Sequence, residues 1–297
     1  MIKTAVIGAS GYIGRHLLRK YRETFPDCIG TGFSRAGQGL IPFDLRHPDI
    51  NRLELQKTGH ETVIIASAMP NVGWCESHPK ESYELNVKGT LQLIKQLDLH
   101  SLTTLFLSSD YVFNGETGNY SDQEKTSPIT EYGRQKAEVE REIPNLTEKY
   151  AILRLSKIYG TTWKDGTLLD SLACDLMQNK KITVSTDQFF SPTHINDVVS
   201  MVLFVQEQGV KGLVNLCNTD PYSRYQIALK LAKALPVSSS LLEAVPLHSI
   251  PSMENRPLNT SLKCSSFLEK MQPSLLSIES AVKCVASNWE KCYAEIN

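Results

Sequence analysis

Residues 2 to 7, IKTAVI, run straight into Gly8-Ala-Ser-Gly11-Tyr-Ile-Gly14, a join that few folds accept. The apolar, β-branched run predicts a strand, and Ile13, Leu17 and Leu18 behind the glycines keep helical spacing. Glycines that fold a strand tightly into a helix leave backbone N–H groups at the helix N-terminus facing outward. A pyrophosphate is the natural ligand for such a turn. Gly8, Ser10, Gly11, Tyr12, Ile13 and Gly14 are therefore the candidate cofactor-binding turn, with a dinucleotide as its ligand.

The rest of the chain continues the same rhythm. Strand-like runs at Cys28 to Phe33, Thr62 to Ala66, Thr103 to Ser108, Ala151 to Leu155 and Leu213 to Cys217 alternate with helical stretches such as Glu81 to Leu97. That alternation predicts an α/β fold with a doubly wound parallel Rossmann sheet. From about residue 160 the pattern changes to a helix-like stretch, Leu168 to Gln178, and a short strand, Ile182 to Ser185. A smaller C-terminal α/β lobe follows from this. The expected division is a Rossmann dinucleotide-binding domain over 1–160, completed by about 195–220, and a smaller substrate-binding lobe over 161–194 and 221–297.

Composition removes several classes of function. With 31 Lys and Arg scattered among 32 Asp and Glu, the chain has no basic block to hold nucleic acid. No window approaches 18 uninterrupted apolar residues and MIKTAVIGASG lacks a signal-peptide pattern, so no membrane partner and a cytoplasmic location are expected. The seven cysteines form no CxxC pair, which predicts free thiols, and His16, His194 and His248 show no ligand spacing, so no metal site is expected. The charged residues between Glu131 and Glu148 read as a solvated helix face.

In NAD-binding Rossmann folds an acid follows the second strand, about 20 residues after the glycines, and bonds the ribose 2'-hydroxyl. Here Ser34 and Arg35 stand at that place, able to bond and neutralise a 2'-phosphate. NADP(H) is the preferred cofactor on this reading, with NAD(H) left open. Asp44, followed by Leu45, either places a carboxylate near the adenine amino group or caps its own loop.

Tyr132-Gly-Arg-Gln-Lys136 puts a phenol and an ammonium on one helical face. A lysine there favours the phenolate and is expected to lower the tyrosine from its ordinary value of about 10. Upstream, the strand Thr103 to Ser108 emerges into Ser109-Asp110-Tyr111, so a hydroxyl stands at the carboxyl end of a parallel strand, where open α/β sheets bind ligands. A dinucleotide turn, a hydroxyl and a Tyr/Lys pair are what hydride addition to a carbonyl needs: a hydride donor, a hydrogen bond to the oxygen and an acid.

These motifs resemble the extended branch of the short-chain dehydrogenase/reductase superfamily. Within it, SSDYVFNG is similar to the STDYVFDG signature of dTDP-4-dehydrorhamnose reductases, and the likeness continues through SPITEYGRQK, ILRLSKIYG, DQFFSPTHINDVV and RPLNTSLKCS. The resemblance implies Tyr132 as proton donor, Lys136 as the residue that holds the nicotinamide ribose and tunes Tyr132, and Ser109 as the group on the carbonyl oxygen. It also implies Ala66-Ser67-Ala68 as a small-residue loop against the cofactor, and Asn86 as the superfamily's helix asparagine or a packing amide. Asp110 and Tyr111 would shape the sugar site, and Arg256 would hold a diphosphate or stand in a surface loop. Lys157, Ile65 and Gln135 replace the family's usual tryptophan, asparagine and serine, which leaves the sugar open.

The implied activity is NADPH-dependent reduction of a keto group on a nucleotide-activated deoxysugar. A sugar-nucleotide epimerase or dehydratase with tightly held NAD, and a non-catalytic NADP-binding regulatory subunit resembling the β subunit of methionine adenosyltransferase, stand as alternatives. The resemblance also suggests a homodimer.

Overall fold

The computed structural model describes residues 1–33, 37, 39–251, 253, 255–266, 268 and 275–296. Two compact units emerge. The first comprises Met1–Phe113, Asp122–Leu155 and Val199–Leu216; the second comprises Asn114–Ser121, Ser156–Val198 and Cys217–Asn297.

The first unit opens with β1 (Thr4–Ile7) and α1 (Tyr12–Arg22), then β2 (Thr31–Gly32), β3 (Ile41–Pro42) and β4 (Thr62–Ile65). Helices α2 (Val72–Ser77), α3 (Pro79–Tyr83) and α4 (Thr90–Leu99) follow, then β5 (Thr103–Ser109), α5 (Glu131–Leu146) and β6 (Tyr150–Leu155). Chain segments of the second unit come next: β7 (Ile158–Tyr159), α6 (Leu168–Met177), β8 (Ile182–Ser185), β9 (Phe189–Phe190) and β10 (Thr193–His194). Helix α7 (Ile195–Glu207) returns the chain to the first unit, where β11 (Gly212–Leu216) completes the sheet.

Five strands pair in parallel in the order β1, β4, β5, β6, β11. Beyond β1, an isolated parallel bridge from Val6 to Gly30 attaches the short β2/β3 pair. The chain therefore winds outward from β1 through β2 and β3, then resumes on the opposite side at β4. The carboxyl ends of β1 and β4 flank the point where winding reverses, the place where doubly wound sheets bind ligands. All four residues of β1 and of β4 are buried, as expected for strands covered by helices on both faces. Ile7, Val63, Ile65, Leu93, Leu97, Phe106, Val139 and Ile152 share one core under those helices.

Two sequence expectations change here. The run Cys28 to Phe33 is regular only at Thr31–Gly32, because its earlier part meets β1 through a single bridge at Gly30. The single helix expected over Glu81 to Leu97 is instead α3, a π-helical turn at Glu84–Gly89, and α4. Such wide turns recur at functional sites, and this one carries Asn86.

In the second unit, α6, α8 (Arg224–Ala234) and α9 (Ile278–Ile296) gather Leu169, Leu172, Leu176, Ile227, Leu231 and Val285 into a separate core. Short strands pair at its margin. β10 lies parallel to β7, β12 (Tyr222–Ser223) antiparallel to β9, and β13 (Leu242–Val245) parallel to β8. Among the described residues no helix is long and apolar enough to cross a membrane, and no cluster of three His, Cys, Asp or Glu side chains is placed to hold a metal ion.

Candidate active site

The glycine turn sits at the carboxyl end of β1. Gly8 adopts φ +90°, a left-handed conformation that side chains resist, and a Cβ there would lie 2.6 Å from the Ser67 amide nitrogen. The loop Ala66-Ser67-Ala68 thus packs directly on the turn, anchored by the Ala66 amide donating to Ile7 O at 2.9 Å. Gly11 stands at the N-cap of α1 and supplies no side-chain cap, and the N-terminus of the helix carries the positive end of its dipole. Tyr12 flanks this end with its ring against His16 and under the Arg15 guanidinium, 4.8 Å from its centroid.

The residues read as the 2'-phosphate contact, Ser34 and Arg35, lie outside the described residues. Asp44 makes a two-oxygen ion pair with Arg46, whose amide it also accepts, so its carboxylate holds its own loop. Arg46 lies over the exposed Phe33 ring at 5.1 Å. Leu45 is buried in the core.

The second cluster forms where β5 ends. Ser109, the last strand residue, accepts from the Tyr111 amide and donates to Asp110 Oδ1 at 3.1 Å, which fixes its hydroxyl at the head of a 3-10 turn, Asp110–Val112. The Tyr132 phenol lies near that hydroxyl. Thr130 caps α5 by accepting from the Gly133 amide, and Glu76 accepts from the Glu131 amide at 2.6 Å, so the helix starts at a fixed point. Gly133 then lets α5 press against the Tyr111 carbonyl; any side chain there would overlap it. Tyr132 ends in edge-on contact with Tyr111, ring centroids 6.3 Å apart.

One turn on, Lys136 is 4% exposed and donates from Nζ to Leu107 O at 2.8 Å. Its ammonium lies 4.5 Å from the Phe106 ring centroid and 5.9 Å from that of Tyr132. Burial pulls Lys136 down to about 8, opposed by Glu140. Tyr132 corrects the sequence expectation of a lowered phenol. Burial and then Asp110 push it upward, and the nearby Ser109 hydroxyl only partly offsets them. A lysine turned to a backbone carbonyl and itself desolvated does not outweigh these effects.

Asn86 behaves as a lock. Its amide oxygen accepts from Met69 N at 2.7 Å, and its nitrogen donates to Met69 O at 3.2 Å and to Gln135 Oε1 at 2.8 Å. Gln135, buried in α5, donates in turn to Ser82 Oγ and Glu131 Oε1. The loop after β4 and the helix bearing Tyr132 are thereby tied together. Arg256 belongs to the second unit, where its amide donates to Met253 O.

Sequence reasoning placed Glu140 on a solvated face, and this is wrong. Glu140 is buried, accepts from Ser108 Oγ at 2.5 Å and grips Arg154 through both oxygens, the shortest contact being 2.6 Å. Its positions four and eight residues after Lys136 and Tyr132 were the available signal, since that spacing shares one helix face.

This chain is 28% identical over 279 residues to methionine adenosyltransferase 2 subunit beta of Xenopus laevis, covering 91% of this chain and 82% of that one. It is 26% identical over 296 residues to the probable low-salt glycan biosynthesis reductase Agl14 of Haloferax volcanii, covering 96% and 98%. A solved structure of a hypothetical dTDP-4-dehydrorhamnose reductase from Sulfolobus tokodaii superposes with a TM-score of 0.81 at 26% identity, covering 94% and 99%. The RmlD substrate binding domain family matches residues 2–290, and with the parallel sheet and the Ser109, Tyr132 and Lys136 cluster on the page, the chain belongs to that family.

Proposed function

We propose that this protein reduces a keto group on a nucleotide-activated deoxysugar, with NADPH as the reductant. The observation that carries this reading is the grouping of Ser109, at the carboxyl end of a strand in a doubly wound sheet, with the buried Tyr132 phenol and the Lys136 ammonium one helical turn further along α5.

The glycine turn suits a dinucleotide, because Gly8 folds β1 tightly into α1 against the Ser67 backbone and the helix N-terminus behind it favours an anion. Gly8, Ser10, Gly11, Tyr12, Ile13 and Gly14 would hold the pyrophosphate, with Ala66-Ser67-Ala68 alongside, and NADPH when bound supplies the hydride. Ser34 and Arg35 support NADP(H) over NAD(H) by their charge and by the missing acid. Ser109 and Tyr132 donate to the carbonyl oxygen as negative charge builds on it. Tyr132 then gives up its proton, and the Lys136 charge lowers the cost of the phenolate left behind. Asp110 and Tyr111 in the first unit are assigned to the sugar, and the resemblance assigns Arg256, in the second unit, to a diphosphate.

The test is a titration with NADPH and NADH followed by a panel of keto sugar nucleotides, with cofactor oxidation as the readout. Tyr132→Phe should retain NADPH affinity and lose about a hundredfold to ten-thousandfold in turnover. Equal turnover by variant and wild type removes Tyr132 from the chemistry.

The likeness to methionine adenosyltransferase 2 subunit beta favours a second reading, a nicotinamide-binding subunit of a larger enzyme. Tight NADPH binding, no oxidation with any keto sugar and copurification with a synthetase would select it.

A further inference from the structure

Lys136, Glu140 and Arg154 bring three charged side chains into the interior of the first unit, a combination that burial alone penalises heavily. Glu140 lies four residues after Lys136 on α5, so the two side chains share a face. Neighbouring strands hold its carboxylate from the far side. Ser108 on β5 donates to Oε1, and Arg154, directly opposite Ser108 in the strand register, donates to both oxygens. Leu107, next to Ser108, supplies the carbonyl that receives the Lys136 ammonium. The same stretch of β5 therefore fixes the lysine and its counter-charge.

Resting on the reductase reading above, we propose that Glu140 is a positioning residue. Clamped by Arg154 and Ser108, it keeps Lys136 charged and seated on the Leu107 carbonyl, beside the proton donor. The groups facing Lys136 are consistent with that role. From α5 come Tyr132 and Glu140, from α2 the buried Cys75 thiol, and from β5 the Phe106 ring and the Leu107 carbonyl; Arg154 on β6 acts through Glu140. Burial holds the Cys75 thiol above the usual thiol range, so it is neutral near pH 7 and gives little help. Glu140 is the full negative charge that opposes burial of the ammonium. Arg154 competes for the same carboxylate, so the charge state of Lys136 depends on how Glu140 is shared.

That sharing gives a test with two signs. In the double variant Glu140→Gln/Arg154→Met, the amide still accepts from Ser108, neither a carboxylate nor a guanidinium is left unpaired inside, and Lys136 can lose its proton, so the fold is retained. With lysines labelled at Cε, NMR follows the Lys136 resonance, identified by its loss in Lys136→Met. The titration midpoint in the double variant should fall by about one pH unit or more. Arg154→Met alone leaves the whole Glu140 charge to Lys136 and should raise it. The alkaline limb of kcat/KM should move in the same direction as the midpoint in each variant. An unchanged midpoint in either folded variant overturns the proposal, as does a midpoint that moves while the pH profile stays still. If the wild-type protein reduces no keto sugar, the reductase reading fails by itself, and the lysine titration still decides whether Glu140 sets the charge.

Discussion

Replacing Gly8 by alanine tests the claim that the turn and the loop after β4 form one preformed surface. The new methyl carbon would sit 2.6 Å from Ser67 N and 2.7 Å from Ser67 Cα, both backbone atoms. No rotamer change relieves such contacts, so either the turn or the loop must move. An alanine held at φ +90° adds about 1–2 kcal/mol of conformational strain, and overpacking adds about 1–3 kcal/mol. The sum, about 2–5 kcal/mol, is survivable for a domain stabilised by about 5–15 kcal/mol. At about 2 °C per kcal/mol for a chain of this size, the melting temperature should fall by about 4–10 °C. NADPH titration should show affinity weakened by tenfold or more, because the turn proposed to hold the pyrophosphate is displaced. Ser67→Gly should not rescue the variant, since it removes only the Cβ contact at 2.9 Å. A melting temperature within a degree of wild type, with unchanged NADPH affinity, would refute the reasoning.

Two further substitutions probe the interior. Asn86→Leu strands the Met69 amide and carbonyl and Gln135 Oε1, so a loss of about 2–4 kcal/mol is expected in denaturant unfolding, together with weaker NADPH binding. Full stability in this variant would show that the lock carries no energy. In the second unit, burial pushes the Asp197 carboxyl above the usual range, against the pull of the Leu276 amide and His194. A carboxyl raised in the folded state costs stability as pH climbs from its unfolded value of about 3.9 to its folded one, and the penalty stays above that window. Asp197→Asn keeps an oxygen for the Leu276 amide, donated at 3.0 Å, and should melt higher than wild type at neutral pH, with the advantage shrinking as pH falls. A pH-independent difference would reject the assignment.

The parallel sheet, the turn at Gly8 and the strand end at Ser109 could be read from sequence because each depends on local pattern. Strand runs, glycine spacing and helical period act over a few residues. The fate of Asp44 could not be read, since a single charged neighbour, Arg46, decides it. Glu140 was misread for a related reason. The partners that make burial tolerable, Ser108 and Arg154, lie on strands 32 and 14 residues away, so nothing local marks the position as interior. The wide turn around Asn86 is also a tertiary outcome, fixed by contacts with Met69 and Gln135.

The polar side chains on the inner face of α5 hold the geometry of the site through bonds within the first unit. Gln135 is tied to Asn86 and Ser82, Lys136 to Leu107 and Glu140 to Ser108 and Arg154, so three buried positions reach the neighbouring helical turns and two strands of the sheet. Each bond would be costly to leave unmade, which makes any sliding or rotation of the helix break several at once. Tyr132, one turn earlier, inherits that register, and its phenol meets the Ser109 hydroxyl on a strand end that the Asp110–Val112 turn has already fixed. Burial keeps that phenol protonated at rest, the state a proton donor must occupy when a ketone arrives. On the proposed reductase reading, the clamped helix supplies orientation in advance, leaving the energy of sugar-nucleotide binding for developing charge on the carbonyl oxygen.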